Sequence, residues 1–193
     1  MVRKLSPERR QRLMTSALNL FVTRGVGNTS TAEISREAGV AAGTLFLYFP
    51  TKQTLMDELI LSIGREQSAY IHELISTPLS ARQTFYKIWQ GTIHWFMEHI
   101  AAYQYVQQVR DTGLISASTV EASASFFNYY YEAIQKGLTE GSIKNYPMDL
   151  IGGVLYQGIV AVMNRLRMEP DSSKYEEFIQ QGFNIFWDGI KTG

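Results

Sequence analysis

Apolar positions recur at three- and four-residue spacing along most of the chain, the period of an amphipathic helix. Leu13, Ala17, Leu18 and Phe21 form the first stripe. Ser6 as a cap, Pro7 at a first helical position and Gly25 as a stop frame that stripe as a helix over 6–24. A short second helix starts near Thr31. Ser30 and Glu33 have the spacing of a capping box, Ala32, Ile34 (with Ser35) and Ala38 supply a buried side, and Gly39 accepts the left-handed conformation that ends it. A third runs from about 41 to 49 and ends before Pro50, because the residue preceding proline disfavours helical angles. Helices this short bury too little to stand alone, so they must lean on the first.

The helix that follows starts near Thr51 and carries Leu55, Met56, Leu59, Ile60 and Ile63 toward Ile75, ahead of Pro78. Further on, Phe85, Ile88, Trp89, Thr92, Trp95 and Phe96 share one broad face, and Val120, Ala124, Phe127, Tyr130, Tyr131, Ile134 and Leu138 share another. The stretch from Gly141 to Pro147 breaks the pattern before a helix over about 148–168. Pro170, Asp171, Ser172 and Ser173 break it again before a last helix ending near Ile190. No stretch reads as a strand, so the expected fold is all-α with about nine helices. No flexible linker divides the chain; the expected organisation is residues 1–52 and 53–193, joined by the helix from about 51 to 75.

Residues 31–52 carry the chemistry. Two short helices around a tight turn, followed at once by another helix start, form a helix-turn-helix, although an ordinary corner between two helices would show the same pattern. Ala41, Ala42, Gly43 and Thr44 are small, so the second helix can approach base edges in a major groove. Tyr48 and Lys52 add a phenol and an ammonium near the next helix N-terminus, where phosphate is favoured. The string AGVAAGTLFLYFPTKQTL at 38–55, within a match over roughly 7–60, closely resembles the N-terminal DNA-binding domain of the TetR family of transcriptional regulators. The resemblance implies phosphate contacts from Thr31, Tyr48 and Lys52, and groove contacts from Ala41, Ala42, Gly43, Thr44, Phe46 and Leu47. Phe46 stands where the family often has tyrosine, and Leu47 where it often has a polar or aromatic residue. That leaves Thr44 as the main polar reader, with apolar contact to thymine methyls and DNA shape carrying more of the specificity.

Charge changes the picture only when it is read by position. The chain has 18 basic and 18 acidic residues, yet residues 1–52 hold Arg3, Lys4, Arg9, Arg10, Arg12, Arg24, Arg36 and Lys52 against Glu8, Glu33 and Glu37, a balance of +5. A basic footprint at one end suits a polyanion, the bland alternative being a solvated basic helix face.

Aromatic residues concentrate in the other part. Of 24, only Phe21, Phe46, Tyr48 and Phe49 lie within residues 1–52. The run Phe126, Phe127, Asn128, Tyr129, Tyr130 and Tyr131 would cover every side of a helix, so some of these side chains must face a cavity, a partner or water. Core packing accounts for much of such a run; tyrosine hydroxyls that need partners when buried point to a small-molecule pocket. The resemblance also implies a ligand cavity in the helical C-terminal domain. The candidates are Trp89, Ile93, Phe96, Tyr103, Phe127, Tyr130, Tyr131, Tyr156 and Asn164.

Other classes are poorly supplied. Cysteine is absent, which fits a reducing compartment, and no apolar run reaches the length of a membrane span, so a soluble, cytoplasmic protein is expected. His94 and Glu98 sit at i and i+4, two possible metal ligands and too few for a closed site. No nucleophile–base pattern or phosphate-cradling glycine loop is present, and neither an enzyme nor a cofactor is expected. The resulting expectation is a ligand-responsive repressor on palindromic double-stranded operator DNA, released by an unidentified small apolar or amphipathic effector. It would be a homodimer through its last two helices, in which Gly152, Gly153, Gly158 and Ala161 allow close approach and Phe178, Phe183, Phe186 and Trp187 offer bulk. A constitutive DNA-binding regulator and a metal-dependent enzyme are the alternatives.

Overall fold

Local chemistry starts each of the first helices. The Ser6 hydroxyl accepts the Arg9 N–H, Pro7 takes the position where a missing N–H costs nothing, and Gly25, at φ 86°, stops helix α1, Pro7–Arg24. Helix α2, Thr31–Glu37, has the full reciprocal capping box between Ser30 and Glu33, and the chain leaves it through Gly39 at φ 66°. Helix α3 covers only Thr44–Tyr48. The expected start at 41 is wrong because the Ala41 carbonyl accepts the Thr44 N–H at 2.8 Å in a turn, so Ala41, Ala42 and Gly43 precede the helix. Ala32 is exposed, against expectation, since α2 buries Ile34, Ser35 and Ala38.

The computed structural model describes residues 5–193, so Arg3 and Lys4 lie outside the described residues. After α3 come α4 (Lys52–Leu74), α5 (Ala81–Glu98), α6 (Ile100–Val109), α7 (Ala117–Ala124), α8 (Asn128–Thr139), α9 (Met148–Met168) and α10 (Tyr175–Ile190). The fold is all-α, with no strand among the described residues; Ile143 and Lys191 form one isolated antiparallel bridge. Two compact units result, one taking the described residues up to Gly64 with His99–Ser123, the other Arg65–Glu98 with Ala124–Gly193. Helix α4 gives its first half to one unit and its second half to the other.

In the first unit, Leu13, Ala17 and Phe21 of α1 are fully buried and Leu18 half-buried. Phe21 stacks on Tyr105 of α6 with ring centroids 5.8 Å apart, and the Tyr105 hydroxyl donates to the Met56 carbonyl of α4 at 3.0 Å. One aromatic pair and one hydrogen bond thus tie α1 to α6 and to the start of α4. Burial pushes the Tyr105 phenol well above its usual range.

The second unit is built around Trp89 of α5. Its indole N–H donates to the Ile179 carbonyl at 2.9 Å, and its ring stacks on Phe186 and meets Phe183 edge-on. Gly158 of α9 and Gly182 of α10 make room: a Cβ at either would come within 2.9 Å of the indole, and at Gly182 also within 2.4 Å of Val162 Cγ2. Full burial of a side chain this size is worth about 1.5–3 kcal/mol. The expected continuous face from Val120 to Leu138 is broken. A 3-10 turn at Ser125–Phe127 shifts the helical phase, so α8 buries Tyr129, Ala133, Ile134 and Gly137 while Val120 and Tyr131 are exposed.

Candidate functional site

Turn geometry sets the first candidate site. Ser35, almost fully buried, donates its hydroxyl to the Thr31 carbonyl at 3.0 Å and the Ala42 carbonyl at 3.4 Å, and its own carbonyl accepts the Val40 N–H. That one side chain spans the turn between α2 and α3. Leu45 and Phe49, four apart, anchor the other side of α3 and are fully buried. The opposite side is left exposed: Ala41, Ala42 and Gly43 are open, Thr44 is half-buried, and Phe46 and Leu47 show 48% and 65% of their surface. Two adjacent large apolar side chains turned outward on a five-residue helix need a reason, because a free monomer gains nothing from them.

The expected phosphate contacts are held more firmly than a sequence reading implies. The Tyr48 hydroxyl accepts the Ser6 N–H at 2.9 Å, while Thr31 is half-buried at the start of α2. Lys52 is not a free ammonium at the α4 N-terminus. Its Nζ donates to the Val26 carbonyl and lies 5.7 Å from the centre of the Phe21 ring. An ammonium has three donors, so two are still available to phosphate. Arg9, Arg12 and Arg36 are exposed, Arg10 pairs with Glu58 and Arg24 with Glu33. Hydrogen bonds from the Ser30 backbone and hydroxyl hold the Glu33 carboxyl below its ordinary pKa, and the Ser6 hydroxyl does the same for Glu8. Two of the three acidic residues of this segment are therefore occupied with capping.

The expected effector residues scatter. Trp89 is sealed at the junction of α5, α9 and α10, which corrects its reading as a cavity wall. Tyr103 is buried in the first unit, apart from the other candidates in chain grouping. Tyr131 and Asn164 are exposed and Tyr156 is half-buried. Ile93 and Phe96 are buried on α5; Phe127 and Tyr130 are half-buried with rings 6.2 Å apart. Sequence reasoning missed Gln67 and did not select Thr92 or Tyr129. All three are at least nine-tenths buried, and Gln67 Nε2, Thr92 Oγ1 and the Tyr129 hydroxyl lack a well-formed hydrogen bond. The available signal was a polar residue inside an apolar stripe, as with Thr92 between Ile88 and Phe96. His94, the possible metal ligand, instead bonds Glu176 at 2.7 Å, and no group of three metal-ligating side chains occurs among the described residues. No helix of the described residues is long and apolar enough to cross a membrane.

Comparisons with known proteins agree with this geometry. The family model for bacterial regulatory proteins of the tetR family matches residues 13–59. The chain is 36% identical over 91 residues to the HTH-type transcriptional regulator LuxR of Vibrio harveyi, covering 47% of the chain and 44% of that protein. It is 26% identical over 169 residues to the HTH-type transcriptional regulator SrpR of Pseudomonas putida, covering 79% and 76%. A crystal structure of a tetR family transcription regulator from Shewanella sp. PV-4 superposes with a TM-score of 0.88 at 26% identity, over 96% of this chain and 99% of that one. With the helix-turn-helix, the all-α architecture and these likenesses in agreement, the chain is a transcriptional regulator and not an enzyme, and it belongs to the TetR family of DNA-binding proteins.

Proposed function

We propose that the protein is a repressor that binds a near-palindromic operator as a homodimer and leaves it when a small apolar or amphipathic molecule occupies its second unit. The observation that carries the DNA reading is the outward pair Phe46 and Leu47 on α3, beside Thr44 and anchored from behind by Leu45 and Phe49. Residues 1–52 do the DNA binding, 53–193 the effector and dimer work, and α4 is the continuous helix through which one affects the other. The site of action is the cytoplasm, where operator DNA is reached.

One recognition helix reads only a few base pairs, so specificity calls for two heads roughly 34 Å or a multiple of it apart. The dimer surface we assign differs from the sequence expectation. Gly158 packs under Trp89, and Phe183, Phe186 and Trp187 are buried against their own subunit's core, whereas Leu150, Val154 and Met168 of α9 and Ile185 of α10 are exposed. Release of DNA by effector requires differential binding: a 100-fold loss of operator affinity corresponds to about 2.7 kcal/mol of preference for the DNA-incompetent form.

One observation favours a constitutive regulator instead: Trp89, the largest expected pocket residue, is packed solid. The test is titration of the purified protein against the promoter region beside its own gene, with footprinting and light scattering. Two-fold-symmetric protection by a dimer is expected; sequence-independent binding, or a monomer at micromolar concentration, would defeat the proposal.

A further inference from the structure

Three uncharged polar groups are buried in the second unit without a well-formed hydrogen bond: Gln67 Nε2 on α4, Thr92 Oγ1 on α5 and the Tyr129 hydroxyl on α8, with the Tyr130 phenol as the polar neighbour of Tyr129. A buried polar atom left in this way costs about 1–3 kcal/mol, so three in one small unit call for a function.

Thr92 and Tyr129 stand at matching depths of α5 and α8, with Gln67 about one helical turn along α4. The Ala81 N–H at the start of α5 donates to Glu140 at the end of α8 at 3.0 Å, and eleven residues inward from this contact on the two helices, 81 to 92 and 140 to 129, stand Thr92 and Tyr129. Helix α4 meets them there. The His72 ring is edge-on to Tyr129 at 5.4 Å, the Ser68 hydroxyl donates to the Phe126 carbonyl at 2.6 Å, and a Cβ at Gly91 would strike Leu74 and Ile71. Gln67 is on the face of α4 that carries Ile71, one turn away.

We infer that Gln67, Thr92 and Tyr129 are the polar contacts for a neutral ligand with an apolar body and a hydrogen-bond-accepting oxygen, such as a ketone or an ester, held between α4, α5 and α8. The inference rests on the effector-responsive reading above and deepens it. An amide NH₂ only donates, and a threonine and a tyrosine hydroxyl can both donate, so the three together match a carbonyl oxygen. Charge selects against an anion. Among the described residues no Lys, Arg or His is buried; His72, whose ring meets Tyr129, is exposed and its Nδ1 is hydrogen-bonded to Ser68 within α4, so an anionic head drawn in would lose its hydration with no buried cation to replace it. The surrounding charged side chains point elsewhere: Arg65, Glu66, Glu73 and Glu132 are exposed, and Lys136 is bonded to the Leu79 carbonyl.

The test uses the full chain and probes matched in length. Methyl decanoate and methyl nonyl ketone are compared with decanoate by equilibrium dialysis and scanning fluorimetry, while operator binding is followed in parallel by fluorescence anisotropy. Saturable binding of both neutral compounds is expected, with decanoate at least about tenfold weaker, and Thr92→Val and Tyr129→Phe each weakening the neutral compounds about tenfold with fold stability undiminished. Decanoate binding as tightly as its methyl ester overturns the inference, as does no saturable binding of either neutral compound. Unchanged affinity in both variants overturns it too, the three groups then serving buried water. Operator affinity separates the two levels: if wild-type protein binds its operator and a charged compound releases it, the effector-responsive reading stands and only the ligand class falls.

Discussion

The Tyr48 hydroxyl accepts a hydrogen bond from the Ser6 backbone N–H, so the last residue of the recognition helix is fastened to the cap of α1, 42 residues earlier in the chain. The phenol keeps its own proton to donate outward, so on the proposed reading it would serve both as an anchor for α3 and as a donor to phosphate.

Tyr48→Phe removes both roles. It is expected to weaken binding by about 1 kcal/mol alike for all operator variants, because phosphate contacts carry no sequence information. Lys52→Ala should do the same and lower the salt slope by about one unit per subunit. The Val26 and Phe21 contacts of Lys52 add a second effect, a lowered Tm of the first unit. Anisotropy titrations over a range of salt measure the first effect, and thermal melts the second. A change in base preference in either variant would count against the assignment.

Base readout should rest on Thr44 and the apolar pair. Thr44→Ala is expected to cost roughly 1–3 kcal/mol at one or two base pairs, and Leu47→Ala to reduce the preference for a thymine. Replacing single operator thymines with deoxyuridine, which lacks only the methyl group, should weaken the wild type at specific positions and leave Leu47→Ala nearly indifferent there. Equal sensitivity of the two proteins at every thymine would remove Leu47 from the readout.

Dimerisation should respond to surface charge on α9 and α10. Val154→Arg and Ile185→Arg place cations at exposed apolar positions, and are expected to give folded monomers with poor operator affinity. Gly158→Glu should instead unfold the subunit, since its side chain would have to displace the Trp89 ring. Light scattering together with circular dichroism distinguishes these outcomes. A dimeric Val154→Arg/Ile185→Arg double variant would place the interface elsewhere.

Trp89 is predicted to matter for stability first. Gly182→Ala should destabilise by about 1–3 kcal/mol because the added methyl group meets both Val162 and Trp89, and Trp89→Ala by about 3–5 kcal/mol. Denaturant melts followed by far-UV circular dichroism give both values. A near-neutral Trp89→Ala would show that the three-helix junction is looser than its packing implies.

Alkaline stability provides an independent check on the buried phenols. Burial, followed by the Tyr130 phenol, pushes the Tyr129 hydroxyl far above the ordinary 10.0. The unfolded chain therefore releases this proton first, so the contribution is neutral below about pH 10 and stability is lost as pH rises above it. Tyr129→Phe should unfold at higher pH than the wild type, with a Tm at neutral pH that is undiminished, because the buried hydroxyl has only the Tyr130 phenol beside it and no strong hydrogen bond to lose. An unchanged alkaline midpoint would mean that Tyr129 ionises in the folded protein.

By itself the sequence determined the local events. Caps and stops are short-range, so Ser6, Pro7 and Gly25 fix α1, Ser30 with Glu33 fixes α2, and the breaks around Pro147 and Pro170 fix α9 and α10 almost to the residue. The helix-turn-helix was legible through the family resemblance of residues 38–55, since two short helices around a turn also fit an ordinary corner; the Ser35 bonds that span the turn belong to the folded chain. Tertiary structure alone decided where each aromatic side chain ended. Periodicity says that Trp89, Phe183 and Phe186 face something, and only the approach of α5, α9 and α10 makes that something each other. It also decided the phase across Ser125–Phe127, because a 3-10 turn rotates every later residue by an angle no hydrophobic pattern records, which put Tyr129 inside and Tyr131 outside. The grouping of Gln67, Thr92 and Tyr129 was out of reach for the same physical reason: the packing of α4, α5 and α8 buries these residues, and a missing hydrogen bond is a property of that packing rather than of any one segment.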